Sequence, residues 1–142
     1  MNRREMLTSL GTGLAFAGAG SAVFAGAADH KHAEHAAHLK HLTDCMNECL
    51  RCADACFKEA AAGKKGMVET GRSCADCAAF CALSIKMLTG NSAYWKEAVK
   101  ACAEVCELCG ATCAKTADCP HCIPCAKICK ECAVACRKSV AI

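Results

Sequence analysis

Large apolar side chains are scarce in this 142-residue chain. Aromatic residues make up 4% of it, with a single Trp and a single Tyr. From Ala28 onward, Leu, Ile, Val and Phe together only equal Cys in number. Aliphatic content that low signals disorder when net charge is also high. The formal net charge here is only +3, so disorder does not follow. Acids and bases are interleaved, which excludes a strong nucleic-acid binder. No glycine-rich phosphate loop and no nucleophilic Ser motif appears in the sequence. What is abundant is Cys, at 17 residues. Whatever forms the core, Cys is half of it.

The first 27 residues read as a leader. Arg3-Arg4-Glu5-Met6-Leu7 opens onto a mild apolar stretch from Leu7 to Ala25, rich in Gly. Ala25-Gly26-Ala27 offers a small-x-small cleavage site. This pattern is expected to be a twin-arginine export signal over 1–27, with the mature domain at 28–142. Export to the periplasm and no membrane attachment after cleavage are the expectations. The twin-arginine route carries folded proteins, so a reduced Cys-rich chain would escape the disulfide oxidants met by an unfolded one. Cleavage after Ala27 would leave Ala28-Asp29-His30 as an amino-terminal Cu(II) motif.

The Cys fall in four clusters: Cys45, Cys49, Cys52, Cys56; Cys74, Cys77, Cys81; Cys102, Cys106, Cys109, Cys113; and Cys119, Cys122, Cys125, Cys129, Cys132, Cys136. Their steps alternate between three and four, the repeat of a heptad seam. Each cluster therefore places a row of thiols on one face of a helix. Gly63-Lys64-Lys65-Gly66, Gly90-Asn91-Ser92 and Thr116-Ala117-Asp118 separate the clusters. Helices are expected at about 30–62, 67–89, 92–115 and 120–140. Short connections make consecutive helices antiparallel, so the expected fold is an all-α, up-down four-helix bundle. Leu42, Leu88, Trp95 and Val99 continue the thiol seams as fillers.

Three uses of the thiols compete. Cys can act as a small hydrophobe, but heptad phase throughout all four clusters is a poor fit. A disulfide framework is the default for a secreted Cys-rich chain. Neighbours at i,i+3 and i,i+4 on a helix hold Cβ atoms about 5–6 Å apart, whereas a disulfide wants about 3.5–4.5 Å. Metal is the third use. Two thiolates on opposite sides of one soft ion stand about 4.6 Å apart, within reach of such pairs. Thiolate-only sites select Cu(I), Zn(II) or iron–sulfur clusters. One Cu(I) per bridging thiolate is electrically neutral, whereas Zn(II) with four thiolates leaves two negative charges in a core without bases. Zinc also needs sulfurs converging in fours, which continuous rows do not specify. Charge therefore favours Cu(I), about one ion per Cys.

Cys119-x2-Cys122-x2-Cys125-x3-Cys129 also matches a ferredoxin spacing. Lys130 stands where the usual Pro would follow. From Cys125 to Cys136 the helical rhythm of the other clusters continues, so one rule covers every cluster. The alternatives to Cu(I) binding are thus a thiol redox or iron–sulfur electron-transfer protein and a zinc buffer.

At this point the chain resembles the copper storage proteins, a Cys-rich four-helix-bundle family. The most telling stretch is Cys122-x2-Cys125-Ala-x2-Cys129-x2-Cys132-Ala-x-Ala-Cys136-Arg-Lys, and Cys-x3-Cys-x2-Cys-x3-Cys recurs at Cys45 and Cys102. The resemblance implies storage of many Cu(I) ions rather than catalysis, thiol pairs on the same helix as ligands, and often a homotetramer. A periplasmic cuproenzyme or copper chaperone would receive the metal. The chain departs from the regular pattern at Cys119-Pro120-His121-Cys122-Ile123-Pro124-Cys125, where two prolines disturb the start of the last helix.

Antiparallel packing gathers His35, His38, His41, Met46 and Met87 at one end of the bundle. His35, His38 and Leu42 continue the Cys seam beyond Cys45. Imidazole and thioether suit Cu(I), so this end is expected to be the mouth for the metal. Met67 and His121 stand at the opposite end.

Overall fold

The computed structural model describes residues 25–116 and 118–141, with side chains from residue 36 onward. Its helices are α1 (Ala25–Ala61), α2 (Met67–Thr89), α3 (Trp95–Ala114) and α4 (Cys122–Val140). All four expected helices are present, three of them with shifted starts. α1 begins at Ala25, ahead of residue 30, through a run of Ala, Lys, Glu and His without proline. α3 begins at Trp95 because Ser92–Tyr94 form a turn: Tyr94 N–H donates to the Ser92 hydroxyl at 3.2 Å. α4 begins at Cys122 because Pro120 sits at the second position of a turn, closed by Cys122 N–H to the Cys119 carbonyl at 3.0 Å. Of the expected leader over 1–27, residues 1–24 lie outside the described residues.

The connections explain their own composition. Gly63 (φ 90°) and Gly66 (φ 80°) take the left-handed region that the turn between α1 and α2 needs. Asn91 (φ 48°) does so between α2 and α3, as Asn tolerates.

The helices stand in ring order, each packed on two neighbours and opposite the third. Neighbours run antiparallel. Sulfur contacts set the register: Cys45 lies level with Cys106 and Cys129, and Cys52 level with Cys122. Every Cys is buried, none more than 1% exposed. Ala53, Ala78, Ala103 and Ala133 are buried beside them. At Gly110 α3 comes close to α4: a Cβ there would stand 3.3 Å from the Ala126 carbonyl oxygen.

Beyond the thiols, one end carries a buried layer of Leu42, Leu88 and Val99. Ser84 is buried there and donates to the Ala98 carbonyl at 3.2 Å. The other end carries buried Met67 and Thr70. There Glu59 meets His121 at 3.0 Å and Lys64 at 2.9 Å. On the outside, Arg137 grips Glu107 with two hydrogen bonds, at 2.8 and 2.7 Å, tying α4 to α3. Among the described residues no helix is long and apolar enough to cross a membrane.

Candidate metal centre

The rows of thiols meet in the middle of the bundle. Along single helices, Cys45–Cys49, Cys52–Cys56 and Cys132–Cys136 hold sulfurs 4.0 Å apart, and Cys102–Cys106 3.9 Å. Between helices some sulfurs are closer. Cys49–Cys129 and Cys74–Cys113 stand at 3.5 Å, Cys77–Cys106 at 3.6 Å and Cys81–Cys102 at 3.7 Å. A disulfide bond is about 2.05 Å, so these are thiol contacts. All 17 cysteines are free. Widening a pair to the roughly 4.6 Å span of a two-coordinate ion takes only rotamer adjustment.

The sulfurs also converge in fours. Cys45, Cys49, Cys77 and Cys129 form one such group, and Cys45, Cys77, Cys81 and Cys106 another. Cys49, Cys109, Cys125 and Cys129 form a third, and Cys52, Cys74, Cys113 and Cys125 a fourth. Cys81, Cys102, Cys106 and Cys132 extend the set. The expectation that continuous rows would not bring sulfurs together in fours is thereby corrected, because three or four helices contribute to each group. The groups share members: Cys45 and Cys77 belong to two, as do Cys49, Cys81, Cys106, Cys125 and Cys129. Shared sulfurs make one column rather than separate tetrahedral sites. Bridging thiolates, which carry one Cu(I) each at neutrality, suit such a column. Among the described residues the buried polar side chains are His38, Thr70 and Ser84, and no Lys or Arg is buried to offset four-thiolate zinc sites.

The ferredoxin-like set does not gather. Cys122 meets Cys52 and Cys56, whereas Cys129 meets Cys45, Cys49 and Cys77. Seven helical residues separate those two by about 10 Å along the axis. Cys119 lies in the turn before α4, fully buried, and its thiol hydrogen-bonds Cys122.

Protons are unevenly held in this column. Burial pushes the Cys56 thiol up to about 12 and also raises Cys122. Further in, the neighbouring thiols of Cys113, Cys125, Cys129 and Cys49 hold Cys109 low. Those four thiols are raised in turn, each chiefly by its interaction with Cys109. Metal must displace these protons, so loading is coupled to pH.

The expected mouth is partly rearranged. His38 is 5% exposed and its Nε2 lies 3.5 Å from Cys136 Sγ. The side chains of His30 and His35 lie outside the described ones. Met46 and Met87 are half-buried at this end. His41 is exposed on the outside of the bundle, one helical step of about 100° away from the seam residue Leu42. The layer of Leu42, Leu88 and Val99 separates the thiols from this end of the axis. His38 therefore reaches the column from the side, between α1 and α4. Sequence reasoning missed the surface there: a groove of about 660 Å³ whose walls include Lys127, Lys130 and Lys138. The signal was available, because these residues follow the helical period on the α4 face turned away from its Cys.

Comparison with known proteins agrees with this geometry. The chain matches the copper storage protein family, Csp, over residues 31–141. It is 39% identical over 80 residues to the uncharacterized cysteine-rich protein YhjQ of Bacillus subtilis, spanning 56% of this chain and 70% of that protein. Its fold is similar to the Cu(I)-bound copper storage protein BsCsp3, with TM-score 0.68, 35% identity, and coverage of 74% of this chain and 96% of the other. The apo form of copper storage protein 3 from Bacillus subtilis is similar at TM-score 0.61 and 36% identity, with the same coverage.

Proposed function

The chain belongs to the copper storage protein family, and on that premise we propose how its column of thiols is filled. The protein is not an enzyme; it stores copper as Cu(I) on its core cysteines. The observation that carries the loading scheme is the sharing of sulfurs between successive four-sulfur groups. Each thiolate bridges two ions, so filling approaches one Cu(I) per Cys and the core stays neutral. All 17 Cys serve, Cys119 included, because each is buried in the column or at its end. Loading displaces thiol protons, and burial shields the bound metal from oxidants.

Copper enters at the His38 end. His38 hands the ion to Cys136, and Cys132 lies 4.0 Å further on. His35 and His41 collect metal outside it, with Met46 and Met87 as thioether ligands beside the path. The reading also includes export by the twin-arginine route to the periplasm, supported by Arg3-Arg4 and Ala25-Gly26-Ala27. There a homotetramer would buffer copper for a cuproenzyme or chaperone.

An anaerobic Cu(I) titration of the fully reduced mature protein tests the scheme. Thiolate-to-copper absorption, followed against a competing chelator, should break on the order of 12–18 ions per chain. A break at a few ions would sink the bridging scheme. Replacing His35, His38 and His41 by Ala should slow uptake and cost few ions; an unchanged rate would remove the mouth.

A further inference from the structure

The groove between α1 and α4 has no part in the thiol column, yet His38 links the two. Its walls carry three ammonium groups, Lys127, Lys130 and Lys138, against one carboxylate, Glu131. All four are exposed, and among the described residues none of the three lysines is in an ion pair. The lining also includes the methyl groups of Ala37 and Ala135, the side chain of Val134, the Ser139 hydroxyl and the exposed His41 imidazole. His38 also lines the groove. It is the one lining residue hydrogen-bonded to a core thiol, Cys136 at 3.5 Å. A positively charged cavity thus ends at the first imidazole of the copper path.

We propose that this groove is a receiving site for anionic, carboxylate-bearing Cu(I) complexes of low-molecular-weight thiols. The proposal rests on the reading of His38 as the mouth. The volume, about 660 Å³, is that of a small-ligand site, which spans about 300–1,000 Å³. A protein partner would need about 800 Å² of surface, and the groove's one large exposed apolar side chain is Val134. Carboxylates of the carrier sit on the lysine ammonium groups, and the copper faces His38. Ligand exchange then follows without redox. The bonds from copper to two carrier sulfurs break, and bonds to Cys136 and Cys132 form. The two thiol protons leave on the released carrier thiolates, and copper stays Cu(I) throughout. Electrostatic steering into a charged cleft raises association rates by about 10–10³ and falls with salt.

The test compares two Cu(I) donors by anaerobic stopped flow: the anionic bicinchoninate complex, which carries carboxylates, and the cationic acetonitrile complex. Lys127→Glu/Lys130→Glu/Lys138→Glu should take copper from bicinchoninate about tenfold more slowly at low salt. It should take copper from acetonitrile no more slowly, and reach the same capacity. Lys65→Glu/Lys86→Glu/Lys115→Glu makes the same charge change away from the groove and should leave the bicinchoninate rate within about twofold. Equal slowing by both triple variants would mean that net charge acts, not the groove, and would overturn the proposal. So would an unchanged bicinchoninate rate in the groove variant, which would leave the lysines to an acidic protein surface. His38→Ala reports separately: it should slow both donors. If it slows neither, the mouth reading fails whatever the lysines do.

Discussion

Cys49 on α1 and Cys129 on α4 are separated by 80 residues and hold their sulfurs 3.5 Å apart. Both belong to two of the four-sulfur groups, so this contact stands where groups overlap. Copper sites in such a column are not independent pockets. Removing one sulfur removes half of two bridges.

Capacity should therefore fall by degrees. Cys49→Ala/Cys129→Ala should lose about two ions per chain and keep the rest, if each thiolate accounts for about one. Replacing Cys119, Cys122, Cys125 and Cys129 by Ala should cost about as much capacity as replacing Cys102, Cys106, Cys109 and Cys113. Metal analysis of the anaerobically loaded variants checks this. An iron–sulfur protein would lose its colour and iron with the first set alone, and that result would sink the storage column.

Gly110 sets how near α3 comes to α4. A Cβ there would stand 3.3 Å from the Ala126 carbonyl oxygen and 3.4 Å from Cys129 Cβ. Gly110→Ala should be nearly neutral in urea unfolding of the apo protein. The helix gains about 1 kcal/mol from Ala, and a shift of a few tenths of an ångström offsets it. Gly110→Leu should destabilise by about 1–3 kcal/mol through overpacking. It should also lower capacity, because it pries apart the helices that bring Cys109 to Cys129. Full capacity in Gly110→Leu would show that the column does not need this close approach.

The buried thiols make the apo fold sensitive to alkali. Burial raises the Cys56 thiol from its ordinary 9.0 to about 12. A group whose acidity is weaker in the folded state binds more protons there, so its contribution is present below pH 9 and is lost as pH rises towards 12. Thermal melts of the apo protein should show Tm falling across that window. The copper-loaded protein has already given up these protons and should hold its Tm better, with added stability from the bound metal. Parallel falls in both forms would contradict the assignment. Toward acid, protons compete with Cu(I), so affinity should weaken as pH falls.

The helices and their thiol faces were legible because both are local. Steps of three and four between Cys45 and Cys56 define one side of α1 whatever it packs against, and Gly63 and Gly66 mark where the chain must turn. Cys119 was harder. Its place in a turn depends on Pro120, and its burial depends on α1 and α4 meeting beside it. His41 was grouped with His38 at one end of the bundle and lines the same groove, yet three residues along a helix leave it about 60° off the seam that His38 continues, so it stays exposed.

By itself the sequence determined four thiol-lined helices, their antiparallel order and a core in which Cys replaces aliphatics. Helical period and turn chemistry act over a few residues, so neighbouring letters suffice. Only the tertiary structure decided which sulfurs share a group, that His38 meets Cys136 from the side, and that Lys127, Lys130 and Lys138 frame that approach. Those relations depend on the register between helices. Register is set by how Ala, Gly110 and the turns let whole helices approach, a sum of long-range contacts that no short stretch of sequence displays.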